Sequence, residues 1–424
     1  MSTVRCLMGV FLGVMVPLSI FAGQDTLRLS MEEAEQRFIE RNLQVLSARA
    51  NVEAAKAAIE QAGLWSNPNL SIEQNVYNPA TKRYFDFTQD GNTEVALQQL
   101  LTLAGKRGKQ IRIAEINASM SELALADLVR TLRLELRTNV IDLAYLRKSL
   151  SFYDESLATL RQTVISVERV YQNRSVLLSE VLRLKALLLS LETERQGRIR
   201  QAEDIQSDLR ILLRDTSQAI IAPILDTESF ERIDPDSSAM SAAIQSALRT
   251  RPDLMSVEAS VHLDQANLSL QKAMSVPDVT IGGRWSRQGS YIPDYYAVSF
   301  AIDLPLFNRN QGNIALAERT LEADTYSHEG AKMRVVREIR SAYQRALEAD
   351  RLYRSLDPSF GDSYRTLIKG MVSNYEKRNI SLLEFTDFFE SYRTSMTQVL
   401  QAANDRLDAF EAFNHAAGSK VLQP

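Results

Sequence analysis

The chain says one unusual thing twice. "YQNRSVLLSEVL" begins at Tyr171 and "YEKRNISLLEFT" at Tyr375, and both read Tyr-x-x-Arg-x-(Val/Ile)-x-Leu-x-Glu. The copies are not isolated. "NLQVLSARANVEAAKAAIEQAGLWSNPNLSI" (42–72) matches "RPDLMSVEASVHLDQANLSLQKAMSVPDVTI" (251–281) in pattern. Each holds an amphipathic helix that is expected to stop at a proline, Pro68 or Pro277, and then alternates apolar with polar. A change of period from 3.6 to 2 marks helix giving way to strand. Any fold for this chain must be assembled from two like halves.

In the second half, Val279, Ile281, Gly283 and Trp285 alternate with Thr280, Gly282 and Arg284, and a second strand runs from Tyr296 to Leu304. In the first half, a weaker strand over Leu70–Val76 is followed by a partner near Glu94–Leu103. Tyr77, Tyr84, Phe85, Trp285, Tyr291, Tyr295 and Tyr296 cluster in or beside the intervening loops. Aromatics gathered at one end of alternating strands suggest a membrane-interface girdle. A soluble hairpin with one greasy face is the competing reading. Long helical tracts follow, over Gly108–Tyr171 and Gly312–Tyr375, the latter broken at Pro358 and Gly361. Some 60 residues of helix would span roughly 90 Å, more than a globular domain needs. Each half thus reads helix, strand, strand, long helix, turn, long helix. The expected organisation is a first repeat over 24–214, a linker over 215–236, a second repeat over 237–418 and a tail over 419–424.

Ala, Leu, Glu, Arg and Gln dominate while Gly (16) and Pro (11) are scarce, which favours a mainly helical chain with a small β part. The net charge of −4 and the lack of a basic tract argue against a nucleic-acid partner. Residues 1–23 read as a signal peptide: Arg5, then an apolar run from Cys6 to Ala22. A single membrane anchor is the alternative. Cys6 is the only cysteine, so neither disulfides nor cysteine-ligated metal are expected. His262, His328 and His415 lie far apart with no nucleophile beside them, so no enzyme, cofactor or metal site is expected.

With the duplicated order, "LTLAGKRGKQIRIAE" (101–115), "DLPLFNRNQGNIALAE" (303–318) and the two Tyr-x-x-Arg phrases, the chain resembles the TolC-like outer membrane factor family, within it the CzcC-like branch. The resemblance implies a trimer whose strands form a twelve-strand outer-membrane barrel, continued by a helical barrel through the periplasm. It implies a passive exit duct for heavy-metal cations or small toxic compounds. The partners would be a periplasmic adaptor, an inner-membrane pump of the RND type and outer-membrane lipid. A protein-secretion duct would share the fold. A periplasmic coiled-coil scaffold, also exported and helical, would lack paired amphipathic strands.

The resemblance makes the repeated phrases the tips of helical hairpins at the periplasmic entrance. Glu384 and Asp387 fall on entrance-ring carboxylates. Glu180 falls on a carboxylate that pairs with Tyr375 of the neighbouring tip. Asn173, Arg174, Ser175, Arg378, Asn379 and Ile380 fall where the adaptor docks. Two departures stand out. The family's turn glycine is replaced by Arg174 and Arg378, so the left-handed residue is expected to shift to Asn173 or Asn379. The family's gate arginine position holds Ile380, and Arg378 or Arg174 is the expected substitute. In "GKRGK", Lys106, Arg107 and Lys109 stand at a helix N-terminus, the wrong sign for its dipole. Anionic lipid or acidic neighbours at the membrane interface are the expected compensation.

Overall fold

The computed structural model describes residues 26–173, 176–225, 230–235, 237–288, 292–357 and 360–422; the expected signal peptide, Arg174, Ser175, Tyr291 and Pro358 fall outside them. The first half runs β1 (Thr26–Ser30), α1 (Met31–Arg41), α2 (Leu43–Ala62), β2 (Asn69–Gln74), β3 (Tyr77–Asn78), β4 (Arg83–Tyr84), β5 (Thr93–Leu101), α3 (Lys106–Gln172) and α4 (Leu178–Leu213). After β6 (Ile220–Ile224), the second runs α5 (Ser237–Thr250), α6 (Pro252–Met274), β7 (Val279–Gln288), β8 (Pro293–Ile302), α7 (Gln311–Ser355), α8 (Phe360–Glu376) and α9 (Leu382–Ala417). The expected duplicated order of helix, strand pair and long helical hairpin is present in both halves.

Local chemistry sets the boundaries. Ser30 caps α1 in a reciprocal box with Glu33. Asn42 divides α1 from α2: its Oδ1 accepts the amides of Gln44 and Val45, and its Nδ2 donates to the Leu212 carbonyl at 3.0 Å. The helices before the strands end sooner than expected, α2 five residues before Pro68 and α6 two before Pro277, at Gly63 and Ser275. Proline fixes the extended entry to each strand, not the helix end. The second long tract does break, after Ser355, but Gly361 lies inside α8 rather than at the break.

The stretch between the halves, expected as a linker over 215–236, carries a strand. Its β6 pairs in parallel with β1, Thr26 opposite Ile220 through Ser30 opposite Ile224. Gln206 of α4 holds the strand there, its Nε2 donating to the Ile221 carbonyl and its Oε1 accepting the Ile221 amide. These two short strands were not legible beforehand, because each becomes a strand only through a partner far along the chain.

Two apolar cores lie along the helices. One joins the halves and includes Phe38, Leu136, Ile141, Leu209, Ile339, Tyr343, Phe410 and Phe413. The other fills the hairpin ends with Phe152, Leu160, Leu184, Leu191, Tyr375, Phe385 and Phe389. With 67 residues, α3 is about 100 Å long and packs against α2 and α6 near the sheet and α4 and α9 beyond it. Four of the strands form one antiparallel sheet in the order β2-β5-β7-β8, which stands off both cores, and β3 and β4 form a separate hairpin.

Candidate functional site

The sheet sorts its residues by chemistry. In register, Leu70, Leu97, Gly283 and Val298 share one row, and Ile72, Val95, Trp285 and Tyr296 the next on the same face. Leu101, Val279 and Ile302 lie on that face too, as do Ile281 and Phe300 beside Gln99. The opposite face carries Asn69, Gln98, Gly282 and Ser299, then Ser71, Ala96, Arg284 and Ala297, then Glu73, Glu94, Ser286 and Tyr295. Nothing among the described residues covers the apolar face: Val298 is 71% and Phe300 73% exposed. A soluble hairpin would tuck such a face against its own body. This one is left open, as a wall between hydrocarbon and an aqueous lumen requires.

Of the expected girdle, Tyr77 and Tyr84 pair at 5.0 Å between centroids in the β3–β4 hairpin, and Phe85 follows them, exposed. Trp285 and Tyr296 stand opposite each other on the apolar face near the same end. Tyr295 does not join them. Its register puts it on the polar face beside Ser286, so it cannot meet lipid together with Tyr296. The loop below the aromatics is organised by buried Asp86, whose carboxylate accepts from Thr81 at 2.6 Å and from Thr88 Oγ1 at 2.5 Å. Those hydroxyls hold its pKa down at about 2.

The junction cations find partners inside the chain. Lys106 is buried and donates to Asp278 Oδ1 at 2.8 Å and the Val276 carbonyl at 2.7 Å. Asp278 is thus an acidic neighbour that offsets the unfavourable sign of Lys106 at the helix N-terminus. Lys109 donates to Ser269 Oγ, and Arg107 lies over the Trp65 ring at 4.1 Å. Gly105, at φ 68°, takes the left-handed step that turns strand into helix.

At the second tip, the expected shift of the left-handed residue does not occur. Arg378 itself holds φ 64°. The Asn379 amide donates to the Asn374 carbonyl at 2.8 Å and the Arg378 amide to the Tyr375 carbonyl at 2.9 Å. That double closure is the Schellman arrangement, in which the position before the last amide must be left-handed whatever residue fills it. The next helix is capped by Ser381, in a box with Glu384: Ser381 N and Oγ both donate to Glu384 Oε2, at 2.7 and 2.8 Å. The Ser-x-x-Glu spacing in "SLLE" carries that signal in the sequence.

Here the duplication is imperfect. Glu180 occupies the same third helical position as Glu384, but Leu177 stands where Ser381 does and offers no side-chain cap. Glu180 instead acts electrostatically on Tyr375, whose hydroxyl is pushed up to about 12 by burial first and by Glu180's charge second. Both residues belong to one chain, so their proximity does not depend on a neighbouring copy. Asp387 and Arg378 are exposed, Ile380 packs against the tip core, and Asn173 ends α3.

A network that sequence inspection missed ties the two hairpins together above the tips. Arg393 of α9 pairs with Glu194 of α4, which also accepts from Tyr153 of α3 at 3.0 Å. No spacing could reveal it, since the three residues lie on three different helices. Among the described residues, no group of three His, Cys, Asp or Glu is placed to hold a metal, and no helix is long and apolar enough to cross a membrane.

The comparisons with known proteins agree with this geometry. No curated protein sequence matches the chain. Among solved structures it is similar to a membrane protein from Pseudomonas aeruginosa (18% identity, TM-score 0.76, 92% of each chain). It is similar to CusC (16%, 0.74, 95% of this chain and 96% of that one). The Neisseria gonorrhoeae MtrE outer membrane channel in its open state is a third (16%, 0.70, 92% and 89%). At such identities the likeness is one of fold. The family model described as outer membrane efflux protein matches residues 35–207 and 243–419, one stretch in each half, and the chain therefore belongs to the outer membrane efflux protein family, conduits of the outer membrane rather than enzymes.

Proposed function

We propose that three copies close their sheets into a twelve-strand barrel, continued by a periplasmic α-barrel, and serve as the passive exit duct of a tripartite efflux system. The sheet carries this reading. It is apolar on one face and polar on the other, and its outer strands β2 and β8 each pair on one side only among the described residues. In hydrocarbon each unpaired backbone group costs several kcal/mol, so four strands cannot span alone. Joining β8 of one copy to β2 of the next removes both edges.

In this reading the chain comprises two repeats, 24–214 and 237–418, joined by 215–236. It performs no catalysis. An inner-membrane pump of the RND type supplies the energy, and a periplasmic adaptor docks on the tips around Asn173, Arg174, Ser175, Arg378, Asn379 and Ile380. Glu180, Tyr375, Arg378, Glu384 and Asp387 surround the entrance. Glu384 is committed to its cap, yet the bonds from Ser381 hold its pKa below the usual carboxylate range and keep it charged. Three such charges with three from Asp387 would concentrate cations at the mouth. The finer assignment is the CzcC-like branch, with heavy-metal cations or small toxic compounds as cargo.

Two measurements test this. Cysteines placed at the outer edges of β2 and β8, in a chain whose only cysteine is Cys6, should cross-link copies into a series that ends at three. A series ending at two, or running past three, rules out closure. In planar bilayers the Glu384→Gln/Asp387→Asn channel should show a cation-over-anion permeability ratio about threefold or more below that of the parent. An unchanged ratio removes these carboxylates from the entrance.

A further inference from the structure

The two halves pass from sheet to helix by routes of different length. Leu101 and Ile302 both stand in register with Val279, so β5 and β8 end at one level of the sheet. Both routes close on a left-handed residue just before the helix, Gly105 at φ 68° and Asn310 at φ 60°. The step from Leu101 to Gly105 is four residues; that from Ile302 to Asn310 is eight. The surplus is apolar. Leu304, Leu306 and Phe307 are 68%, 64% and 93% exposed, and exposed Arg309 follows.

This spur is held, not loose. The Leu306 amide donates to the Leu304 carbonyl at 2.8 Å, and Gln311 Nε2 donates to the Phe307 carbonyl at 3.3 Å. The Arg309 amide donates to Gln311 Oε1 at 2.8 Å. Asn310 Nδ2 bonds the Gln271 carbonyl at 2.8 Å and its Oε1 at 2.9 Å, tying the loop to α6. A phenylalanine fixed almost wholly outside its own fold is unfavourable in water, and an apolar medium relieves that. Leu304 continues the alternation of Val298, Phe300 and Ile302, and the tight turn closed by the Leu306 amide follows it, so the spur begins where the apolar face of the sheet ends. Exposed Arg309, two residues after the most exposed ring, sets a cation next to the apolar patch, the combination that suits the boundary between hydrocarbon and phosphate.

We infer that Leu304, Leu306 and Phe307 anchor the chain in the periplasmic leaflet of the outer membrane, with Arg309 engaging the phosphate of an anionic phospholipid. This rests on the proposal that the apolar sheet face meets lipid. The occupant is lipid rather than a second copy because the spur follows directly on the apolar face of β8, whereas in the proposed trimer the next copy joins the edge of β8.

The test uses the full chain in vesicles of phosphatidylethanolamine and phosphatidylglycerol. Trp65→Phe and Trp285→Phe remove both tryptophans. A single reporter is then introduced by Phe307→Trp or, as reference, Phe300→Trp. Both should be strongly quenched by lipids brominated high on the acyl chain and little by aqueous acrylamide. If Phe300→Trp escapes the bromolipid, the membrane reading itself fails. If Phe300→Trp is quenched and Phe307→Trp answers only to acrylamide, the spur lies in water and the anchor is wrong. If Phe307→Trp answers to neither quencher, a second copy covers it and the anchor is equally wrong. With bromine on phosphatidylglycerol rather than phosphatidylethanolamine, quenching of Phe307→Trp should be about twofold greater, and Arg309→Glu should abolish that preference. Equal quenching by the two lipids before that change overturns the role of Arg309.

Discussion

Tyr375 stacks on Phe385, ring centroids 5.0 Å apart and planes 17° apart, and so joins the last turn of α8 to the first turn of α9 across the second tip. The tyrosine is only 8% exposed. Its ring fills the tip core while its hydroxyl lies within the field of Glu180 on the other hairpin. Tyr375→Ala should destabilise the tip by about 3–5 kcal/mol, the cost of deleting a buried aromatic. Tyr375→Phe should keep most of that stability. Hydrogen exchange at α8 and α9 in the two variants checks both statements.

The left-handed Arg378 identifies a repairable cost. A residue with a Cβ at such a position gives up roughly 1 kcal/mol that glycine does not. Arg378→Gly should therefore slow local exchange at the second tip. Arg378→Glu should in addition change single-channel conductance, and an unchanged conductance would exclude Arg378 as the substitute for the missing gate arginine.

Leu177 and Ser381 hold equivalent cap positions, and only the serine caps. Ser381→Ala should cost about 1 kcal/mol, and Leu177→Ser, which completes a Ser-x-x-Glu box with Glu180, should gain a comparable amount. Thermal unfolding or exchange at the start of α9 and of α4 reads each separately.

Arg137 of α3 is buried between Glu35 of α1 at 2.5 Å and Glu411 of α9 at 2.7 Å. Arg137→Leu takes from buried Glu411 its arginine and leaves Glu35 only the longer contacts to Arg133 at 3.5 Å and Lys420 at 3.7 Å, and should cost about 3–5 kcal/mol. Replacing all three residues with apolar ones of similar volume should restore much of the loss. Urea unfolding of the single and triple variants checks this.

Asp408 of α9 shares Asn404 with Asp142 of α3, the Asn404 amide donating to Asp408 at 3.0 Å and to Asp142 at 2.6 Å. Burial, and then the charge of Asp142, push Asp408 up to about 8. An unfolded aspartate titrates near 4, so between about pH 4 and 8 the folded chain binds a proton that the unfolded chain has lost. The contribution of Asp408 is thus largest in acid and falls as pH rises through that window. Asp408→Asn should raise the Tm at pH 8.5 and change it little near pH 4.5. A constant difference across that range would refute the assignment.

Much of this protein is written locally. The switches from period 3.6 to period 2 placed the first strand of each pair and alternation its partner, and the doubled Tyr-x-x-Arg phrase placed both helical turns, because side-chain periodicity and turn chemistry act within a few residues. What acts across the chain was not legible. The β1–β6 ladder, the Arg393–Glu194–Tyr153 tie, the Lys106–Asp278 pair and the buried Arg137 bridge each need residues that only packing brings together. Register decided that Tyr295 and Tyr296 face opposite ways. Hydrogen-bond closure decided that Arg378, not Asn379, is left-handed, since the two amides that end α8 fix the backbone before the side chain has any say. Local sequence determines the long helices and the four strands of the sheet; the mutual placement of elements determines the β1–β6 ladder and which charges are compensated, and that is a property of the folded chain alone.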